Sequence, residues 1–381
     1  MDRSKWEYKK LSDVSDITMG QSPSSDSYNE DGKGLPFYQG NADFGDLYPT
    51  ARVYCDAPSR EADSDDILMS VRAPIGAINI ANEHCCIGRG LCAIRPIPKV
   101  SDKMFLFYFL RAKNAFLNLQ GTGSTFKSIS KKVVYDLNVP MPSFADQQRI
   151  VAELDCLNEM IAVKQEQLKE FDKLAQSIFY DMFGRGLSQQ QWDQTTIGEI
   201  AEEIKYGTSS PATPNGRYKY LRMNNMTNDG YLDLSDLKYI DVDDSNYEKY
   251  VVRKGDILFN RTNSRELVGK TALFDFEEEM IIAGYIIRVR LKSSANPCFV
   301  VRYMNLPGQK EYLRGLCRGA IGQANINAKE LQAIPISLPP LSLQQQFAEK
   351  ISAIEAQKEL VKQSIAETQA LLDYTMDKYF G

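Results

Sequence analysis

Two long segments of the chain place apolar side chains at alternating steps of three and four residues. The first covers residues 145–183, and the second begins near residue 341. Steps of this kind form a heptad seam, along which two helices can pack. Each seam is longer than a globular helix usually needs, so we predict two paired helices rather than two separate core helices. The predicted seam consists of Ile150, Leu154, Leu157, Ile161, Leu168, Phe171, Ile178, Phe347, Ile351, Ile354, Val361, Ile365 and Leu372.

The seams belong to an internal repeat of about 200 residues. Asp66-Ile67-Leu68 returns as Asp256-Ile257-Leu258, and the segment VPMPSFADQQ before the first seam returns as ISLPPLSLQQ before the second. Each copy ends in Phe-Gly, at Phe183 and at Phe380. Insertions fall in the first part of each copy, while the helical part keeps its length. A variable globular part is thus joined to a constant helical tail.

The globular parts alternate short β-rich runs with Gly, Pro and Asn turns, which is typical of mixed α/β structure. A helix is predicted over residues 104–119, with a counterpart near 299–313. We therefore predict an α+β fold with two pseudo-symmetric mixed α/β domains separated by two long helices that form an antiparallel coiled coil. The predicted segments are 1–142 (first globular domain), 143–185 (first spacer helix), 186–340 (second globular domain) and 341–381 (second spacer helix). A spacer helix of roughly 38 residues would be about 57 Å long at 1.5 Å per residue.

The distribution of charge changes what the composition implies. The chain has 381 residues, 43% of them hydrophobic, and a net charge of −5. Each globular segment is neutral, with 17 residues of each sign in the first and 19 in the second, and the two helical segments carry the whole negative charge. An acidic chain would argue against a nucleic-acid partner, but two neutral domains are free to present a basic face.

The composition also indicates the cellular compartment of the protein. The seven cysteines form no Cys-x-x-Cys pair, which is typical of reduced thiols in the cytoplasm. The first ten residues have no apolar core and do not read as a signal peptide, and no run of 18 apolar residues predicts a membrane span.

Enzyme motifs are weak. The segment SRELVGKT (264–271) resembles a phosphate-binding loop but has Ser264 where the first glycine belongs. Glu203-Ile204-Lys205 has the form found in metal-dependent nucleases, but no partner aspartate is evident. His84 is the single histidine, and its spacing to Cys85, Cys86 and Cys92 fits no structural zinc site. We predict no catalytic residues and no metal site in this chain.

Polar and basic side chains recur instead on matched turns of the two copies. Arg, Asn and Gln can form paired hydrogen bonds with guanine and adenine edges, whereas Lys, Ser and Thr suit phosphates. For any single residue a solvated loop is the simpler interpretation, and the recurrence favours DNA binding. The candidates are Gln21, Ser22, Gln39, Asn41, Ser70, Arg72, Arg89, Ser124, Lys127, Lys131, Thr208, Ser209, Arg222, Asn224, Asn260, Arg261, Asn263, Arg265, Gln323, Asn325 and Asn327.

Three motifs together resemble the specificity (S) subunit of type I restriction-modification systems, over essentially the whole chain. They are the Pro-rich segment with paired glutamines before each long helix, the segments GDILFNRTNSRELVGKT and DDILMSVRAPIGAIN, and the late turn GQANINAKEL. The first copy departs from the last motif, because Ser128 and Ser130 replace Asn325 and Asn327. The second copy lacks the acidic residue before the entry glutamine, with Leu343 where the first has Asp146.

The resemblance implies a non-catalytic subunit whose two target recognition domains each read one half of a split double-stranded DNA sequence. It implies that the helices set the spacing and bind modification (methyltransferase) subunits, expected to be two, with restriction (translocase and nuclease) subunits as further possible partners. S-adenosylmethionine, and Mg²⁺ with ATP, would belong to those partners, and no cofactor or membrane to this chain. The alternatives are a coiled-coil scaffold and a DNA-binding protein with its own nuclease or methyltransferase activity. The implied location is the cytoplasm of a bacterium or archaeon.

Overall fold

A computed structural model of the chain divides into two compact units. Unit 1 consists of residues 1–166 and 361–381, and unit 2 of residues 167–360. The structure describes residues 3, 6–123, 127–188, 191–264, 267–317 and 324–381. Each unit combines one globular part with segments of both long helices, so the contact boundary falls within the helices. Among the described residues, no helix is both long enough and apolar enough to cross a membrane.

Unit 1 contains eleven strands and four short helices within its described residues. The strands are β1 (Glu7–Lys10), β2 (Ser15–Met19), β3 (Tyr28–Asn29), β4 (Leu35–Tyr38), β5 (Tyr54–Cys55), β6 (Glu61–Ala62), β7 (Ile67–Ser70), β8 (Ile78–Ile80), β9 (Cys85–Ile87), β10 (Leu91–Pro96) and β11 (Asn138–Met141). The helices are α1 (Leu11–Val14), α2 (Lys103–Ala112), α3 (Asn114–Leu119) and α4 (Lys131–Tyr135), followed by the first long helix, α5 (Phe144–Ser188).

Unit 2 follows the same plan in its described residues. The strands are β12 (Asp193–Thr196), β13 (Ala201–Tyr206), β14 (Tyr218–Leu221), β15 (Lys238–Ile240), β16 (Val251–Val252), β17 (Ile257–Asn260), β18 (Thr262–Asn263), β19 (Thr271–Leu273), β20 (Met280–Ile282), β21 (Ile286–Leu291), β22 (Ala324–Asn325) and β23 (Pro335–Leu338). The helices are α6 (Ile197–Ile200), α7 (Asp244–Tyr250), α8 (Pro297–Met304), α9 (Pro307–Leu316), α10 (Ala328–Gln332) and the second long helix, α11 (Leu341–Phe380).

The central sheets of the two units have the same topology. Unit 1 orders its strands β2-β10-β7-β8 and unit 2 orders them β13-β21-β17-β19, all antiparallel. A two-stranded ribbon, β1-β11 or β12-β23, leads into each long helix. A second sheet in each unit contains one parallel pair, β4-β9 or β14-β20. The mixed α/β architecture predicted from the repeat is therefore confirmed.

One detail of the prediction was wrong. Each helix expected after the central sheet is two helices in the structure, α2 and α3 in unit 1 and α8 and α9 in unit 2. In unit 2 the cause is Pro307, which starts α9 because its ring cannot continue a preceding helix. In unit 1 Asn114 starts α3, and Asn118 donates 2.6 Å to the carbonyl of Ile75.

The aspartate of the repeated Asp-Ile-Leu motif joins the two inner strands of the central sheet at one end. Asp66 accepts two hydrogen bonds of 2.8 Å from Arg95, and Asp256 accepts two of 2.8 Å from Arg290. Both carboxylates are buried, whereas the Arg95 side chain is 50% exposed and that of Arg290 30%. Paired Arg–carboxylate bonds of this geometry connect the strand that starts at the aspartate to the neighbouring strand.

One glutamine of each pair, in the first turn of a long helix, also has a structural role. The Gln147 carbonyl accepts from the amide of Asp102 (2.8 Å), and its amide donates to the carbonyls of Val100 and Pro142. Gln344 accepts from the amide of Asn296 (2.8 Å) and donates to the carbonyl of Pro339 (2.7 Å). Both side chains are buried. Each glutamine therefore joins the start of a long helix to the start of α2 or α8.

In each unit the segments of α5 and α11 pack antiparallel. In unit 1, the Lys164 ammonium donates a hydrogen bond of 2.7 Å to the Thr368 hydroxyl, and the Glu153 carboxylate accepts one of 2.6 Å from the Tyr379 hydroxyl. Between these two contacts the residue number falls along α5 and rises along α11, so the two segments run antiparallel. In unit 2, Lys358 forms a 2.7 Å ion pair with Asp172 and the ring of Phe347 contacts that of Phe183. The predicted antiparallel pairing is confirmed within each unit.

Each unit is completed by a helix end from the other repeat. Phe380, at the end of the second copy, packs edge-on against Phe105 in unit 1, with ring centroids 5.2 Å apart. Phe183, at the end of the first copy, packs against Phe299 in unit 2 at 4.9 Å. Both phenylalanines are fully buried. The repeated Phe-Gly ending thus supplies a core residue to the unit that the other repeat begins.

The predicted seam residues differ in burial. Leu168, Phe171, Ile178, Val361 and Ile365 are half-buried. The remainder are buried, namely Ile150, Leu154, Leu157, Ile161, Phe347, Ile351, Ile354 and Leu372. The seam is most apolar where it joins the globular core of each unit.

Candidate nucleic-acid interface

The predicted DNA-binding turns converge at one end of the central sheet in each unit. Five backbone hydrogen bonds connect them, and the same five occur in both units. In unit 1 they join Gly20 to Leu91, Gln21 to Ile87, Gly88 to Tyr38, Val71 to Gly90 and Ile129 to Val71, at 2.8–3.0 Å. In unit 2 they join Gly207 to Ile286, Thr208 to Ile282, Ala283 to Leu221, Arg261 to Tyr285 and Ile326 to Arg261, at 2.9–3.1 Å. We call this set of bonds the five-bond frame.

In unit 1 the frame brings most of the first copy's candidates onto one exposed surface. Gln21, Gln39, Arg72, Arg89 and Lys127 are all exposed. Ser22 accepts 3.3 Å from the amide of Arg89, and the carbonyl of Lys127 accepts 3.0 Å from the amide of Ala73. Among the described residues, no carboxylate pairs with Arg72, Arg89 or Lys127. Three cations without counter-charges make this surface suited to an anionic ligand.

Three candidates of the first copy have other contacts. Ser70 is buried, and its hydroxyl donates to the carbonyls of Arg72 (2.7 Å) and Pro74 (2.9 Å), so it shapes the turn, and its part in DNA binding stays a prediction. Asn41 lies half-buried in a short 3₁₀ turn after Gln39. Lys131 is exposed, with its ammonium 4.6 Å from the centre of the Tyr135 ring.

In unit 2 the frame borders a groove. Five predicted residues line it, together with Tyr285, whose side chain is 52% exposed. These five are Thr208, Ser209, Arg222, Asn224 and Arg261. The lining contains two arginines and, among the described residues, no carboxylate. The groove therefore favours a ligand rich in hydrogen-bond acceptors.

The two arginines of the groove have different partners. Arg222 donates to the carboxylate of Asp236 at 2.9 Å and to the Asp236 carbonyl at 2.8 Å, so its charge is compensated. The guanidinium carbon of Arg261 lies 5.0 Å from the centre of the Tyr206 ring, a cation–π contact. The Nε atoms of both arginines are buried without a hydrogen-bond partner in the described structure.

Several asparagines of the second copy have partners within the fold, and their assignment to DNA binding stays a prediction. Asn260 is fully buried, and its Oδ1 accepts from the amide of Thr262 at 3.2 Å. Asn263 accepts 2.8 Å from the amide of Ser264, and Asn325 accepts 3.3 Å from the hydroxyl of Thr262.

Asn327 is the N-cap of α10, where its Oδ1 accepts from two backbone amides. Ser130 caps α4 in the same way, accepting from the amide of Val133. The replacement of Asn327 by Ser130 in the first copy therefore preserves a helix cap, because both residue types serve well at that position.

Ser124, Arg265 and Gln323 lie outside the described residues. Sequence reasoning missed Tyr206 and Tyr285, the aromatic side chains beside Arg261. A tyrosine gives no signal in a search for charged and amide side chains, although Tyr206 ends a β-rich run directly before the Gly-Thr-Ser turn.

The weak enzyme motifs have structural explanations. Glu203 forms ion pairs with Lys205, Arg288 and Arg290. Burial opposes ionisation of its carboxyl group, but Lys205 and Arg288 hold its pKa below the ordinary value.

The phosphate-loop-like and cysteine-rich segments are also occupied by internal contacts. Lys270 of the Gly-Lys-Thr sequence donates a hydrogen bond of 3.0 Å to the carbonyl of Met226, and burial lowers the pKa of Lys270. Both ring nitrogens of His84 bind carboxylates, while burial raises the pKa of Cys85 and of Cys92 to about 12. These groups are engaged within the fold.

Comparison with known proteins agrees with this duplicated frame. The model of the type I restriction modification DNA specificity domain matches the chain twice, over residues 3–172 and 189–370. The chain belongs to this family. Each match begins at one globular part and continues into a long helix, as the family's domain repeats along the chain.

Two relatives illustrate the range of similarity. A protein of Methanocaldococcus jannaschii, described as the MjaX type I restriction enzyme specificity subunit, is 40% identical over 162 residues, 42% of this chain and 38% of that protein. The EcoKI specificity subunit of Escherichia coli K12 is 21% identical over 81% of this chain and 71% of its own length. The chain thus spans less than two fifths of the length of the MjaX protein in that alignment.

A solved structure extends the likeness to the whole fold. The type I restriction-modification S subunit from M. genitalium covers 99% of this chain and 96% of its own, with a TM-score of 0.54 and 15% identity. At that identity the similarity concerns the fold, and it includes both members of the repeat.

Proposed function

We propose that this chain is the DNA-specificity subunit of a type I restriction-modification complex, in which each unit reads one half of a two-part DNA target. The proposal rests on one observation above all. The five-bond frame occurs twice, and it presents different polar and basic side chains in the two units. Two equivalent backbone frames that carry different side chains suit the recognition of two different half-sites.

In this proposal the chain is not itself catalytic. Methylation and cleavage belong to modification and restriction subunits, which would bind S-adenosylmethionine and Mg²⁺ with ATP, and two modification subunits would bind to α5 and α11. The complex would act on chromosomal DNA in the cytoplasm of a bacterium or archaeon. The predicted role of the helices in setting the half-site spacing stays a prediction.

The test is to map methylated adenines in cells that express the modification subunit with and without this chain. We expect a two-part motif that depends on the chain. Arg72→Ala and Arg261→Ala should each relax discrimination in a different half of that motif, because their side chains lie on different units. The matched controls are Lys103→Ala and Lys254→Ala, which remove cations at the opposite end of β7 and β17 and should leave the motif unchanged.

Two outcomes would contradict the proposal. A complex that assembles but shows no sequence preference would indicate a scaffold. Methyltransferase or nuclease activity of the purified chain alone, abolished by Glu203→Ala, would indicate an enzyme.

A further inference from the structure

The groove of unit 2 contains two arginines, and only Arg261 has no hydrogen-bond acceptor for its guanidinium among the described residues. Arg222 is occupied by Asp236, whereas no described residue accepts a hydrogen bond from the guanidinium of Arg261. The Nε of Arg261 is buried without a partner, as is that of Arg222, so the two arginines differ at their terminal nitrogens. Donors that lack an acceptor favour a ligand that supplies one.

Arg261 is also held in a defined orientation. Its amide donates 2.9 Å to the carbonyl of Tyr285, and its carbonyl accepts 2.9 Å from the amide of Ile326, so its backbone is fixed from both sides. Its guanidinium lies over Tyr206, and the hydroxyl of that tyrosine accepts 2.7 Å from the amide of Ala328 at the start of α10. The aromatic ring is therefore anchored at its far end, and a side chain fixed in this way loses little freedom when it binds.

The planar fork of an arginine matches an acceptor pair on the edge of guanine, O6 and N7, in the major groove. Arg261 lies within a groove rather than at the tip of an exposed loop, and the groove offers Thr208, Ser209 and Asn224 as further polar neighbours. This position favours a base edge that enters the groove over a phosphate of the outer backbone.

We propose that Arg261, oriented by Tyr206, reads a guanine in the half-site of unit 2. The inference rests on the proposed function and makes it more specific. Arg261 contacts the base, and Tyr206 is a positioning residue that acts through Arg261. Unit 1 has Val71 at the matched frame position, so the corresponding position of its half-site is read by another group.

The experiment uses the full complex with its modification subunits and duplexes that carry the mapped motif. Each guanine of the motif is replaced in turn by 7-deazaguanine, which lacks the N7 acceptor but still pairs with cytosine. We expect one guanine at which this change raises the Kd of the wild-type complex about 5- to 150-fold. With Arg261→Ala the Kd should already be raised, and the substitution at that guanine should have no further effect.

Tyr206 provides the second arm of the experiment. Tyr206→Leu removes the ring, and it should weaken the response to 7-deazaguanine at the same base and at no other. Tyr206→Phe keeps the ring and should retain most of the response. Arg217→Ala is the matched control, because Arg217 also lies 5.0 Å from a tyrosine ring, that of Tyr218, but is paired with Asp244 and does not line the groove.

The outcomes separate the two levels of inference. A wild-type complex without sequence preference would contradict the proposed function itself. A sequence-specific complex would overturn the guanine assignment if Arg261→Ala kept its full response at every guanine. The assignment would also fail if Arg261→Ala weakened all sequences alike and Arg261→Lys restored them, since that pattern indicates a phosphate. Thermal unfolding and complex assembly are measured for every variant, so that a folding defect is recognised.

Discussion

The loop ends of the two units share a pattern of backbone hydrogen bonds but differ in several of the side chains that this pattern presents. Matched positions of the five-bond frame hold Gln21 and Thr208, or Val71 and Arg261. Unit 1 presents separate exposed cations, while unit 2 forms a groove with a single unoccupied arginine. Since backbone bonds maintain the frame, its side chains can change without loss of the fold. The difference shows how one architecture can carry two specificities.

The residues that support the two frames, by contrast, are matched in kind. Gln147 corresponds to Gln344, Asp66 to Asp256, and the terminal phenylalanines to each other. If these pairs do equivalent work, the same substitution should have a similar effect in both units. Paired substitutions therefore test how far the likeness extends.

The largest effect is expected for the phenylalanines. Phe380→Ala and Phe183→Ala should each lower the free energy of unfolding by about 3–5 kcal/mol, because both rings are fully buried among other aromatic side chains. Denaturant unfolding measures the loss. Leu371→Ala, at an exposed position of α11, should change it by less than about 0.5 kcal/mol. A small loss for one phenylalanine alone would show that the units are not equivalent at this site.

The glutamines come next. Gln147→Ala and Gln344→Ala should each cost about 1–3 kcal/mol, since each leaves a half-buried backbone amide at the start of α2 or α8 without an acceptor. The neighbouring Gln148→Ala and Gln345→Ala are matched controls, because those side chains are exposed. Equal loss in the variant and its control would argue against this role.

Substitution of the matched aspartates should destabilise the two units to different extents. Asp256→Asn should destabilise by about 2 kcal/mol and Asp66→Asn by about 1 kcal/mol. Arg95 is more exposed than Arg290, and it keeps a second carboxylate, that of Asp63, at 2.5 Å, whereas the second carboxylate near Arg290, that of Glu203, lies at 3.6 Å. Thermal unfolding of the two variants provides the comparison. The reverse order would mean that exposure of the arginine does not govern the strength of the pair.

The smallest effect is the pH dependence that His84, in unit 1, adds to the stability. The hydrogen bond with Asp63 (2.7 Å), reinforced by Glu61 (2.8 Å) and opposed by slight burial, raises the pKa of His84 above its ordinary value. Protonated His84 should therefore contribute stability that is complete below about pH 6.5 and is lost as the pH rises through the raised pKa. Arg95 also faces this cluster through Asp63 and keeps its charge throughout.

The measurement is the Tm of the wild type and of His84→Gln between pH 6 and 9. The wild type should be the more stable protein at pH 6, and the difference should shrink toward pH 9. Arg217→Ala, in unit 2, removes a group that stays charged throughout this range and leaves the His84 cluster intact, so its difference from the wild type should not vary with pH. Parallel profiles for wild type and His84→Gln would contradict the assignment.

The repeat and the heptad spacing predicted the fold because they record burial directly. Leu154 and Phe347 are buried where the seam places them, and the Asp-Ile-Leu strands occupy equivalent positions in the two sheets. The break between α8 and α9 was missed although Pro307 marks it, because the apolar period continues across the break. A helix end depends on single residues such as this proline, whereas apolar spacing is read over many residues and does not detect them.

The candidate site was harder to predict, because a residue type does not reveal its partner. Asn260, Asn327 and Arg222 have the chemistry of DNA contacts, but a buried turn, a helix cap and Asp236 engage them. Arg261 differs from Arg222 only through the three-dimensional neighbours of each. The contact between the Tyr206 ring and Arg261 depends on the fold, so the sequence pattern does not indicate it.

The helix segment that completes unit 1 also bears on how the protein is made. Unit 2 is continuous in sequence, whereas unit 1 needs residues 361–381, which a ribosome adds after all of unit 2. Domains generally fold as units during synthesis, with the earlier one first. Here the order should be reversed in part, because the apolar pocket around Phe105 and Phe109 stays open until Phe380 arrives. The nascent chain would expose that pocket throughout the synthesis of unit 2, so this is the stage at which a chaperone would be most needed.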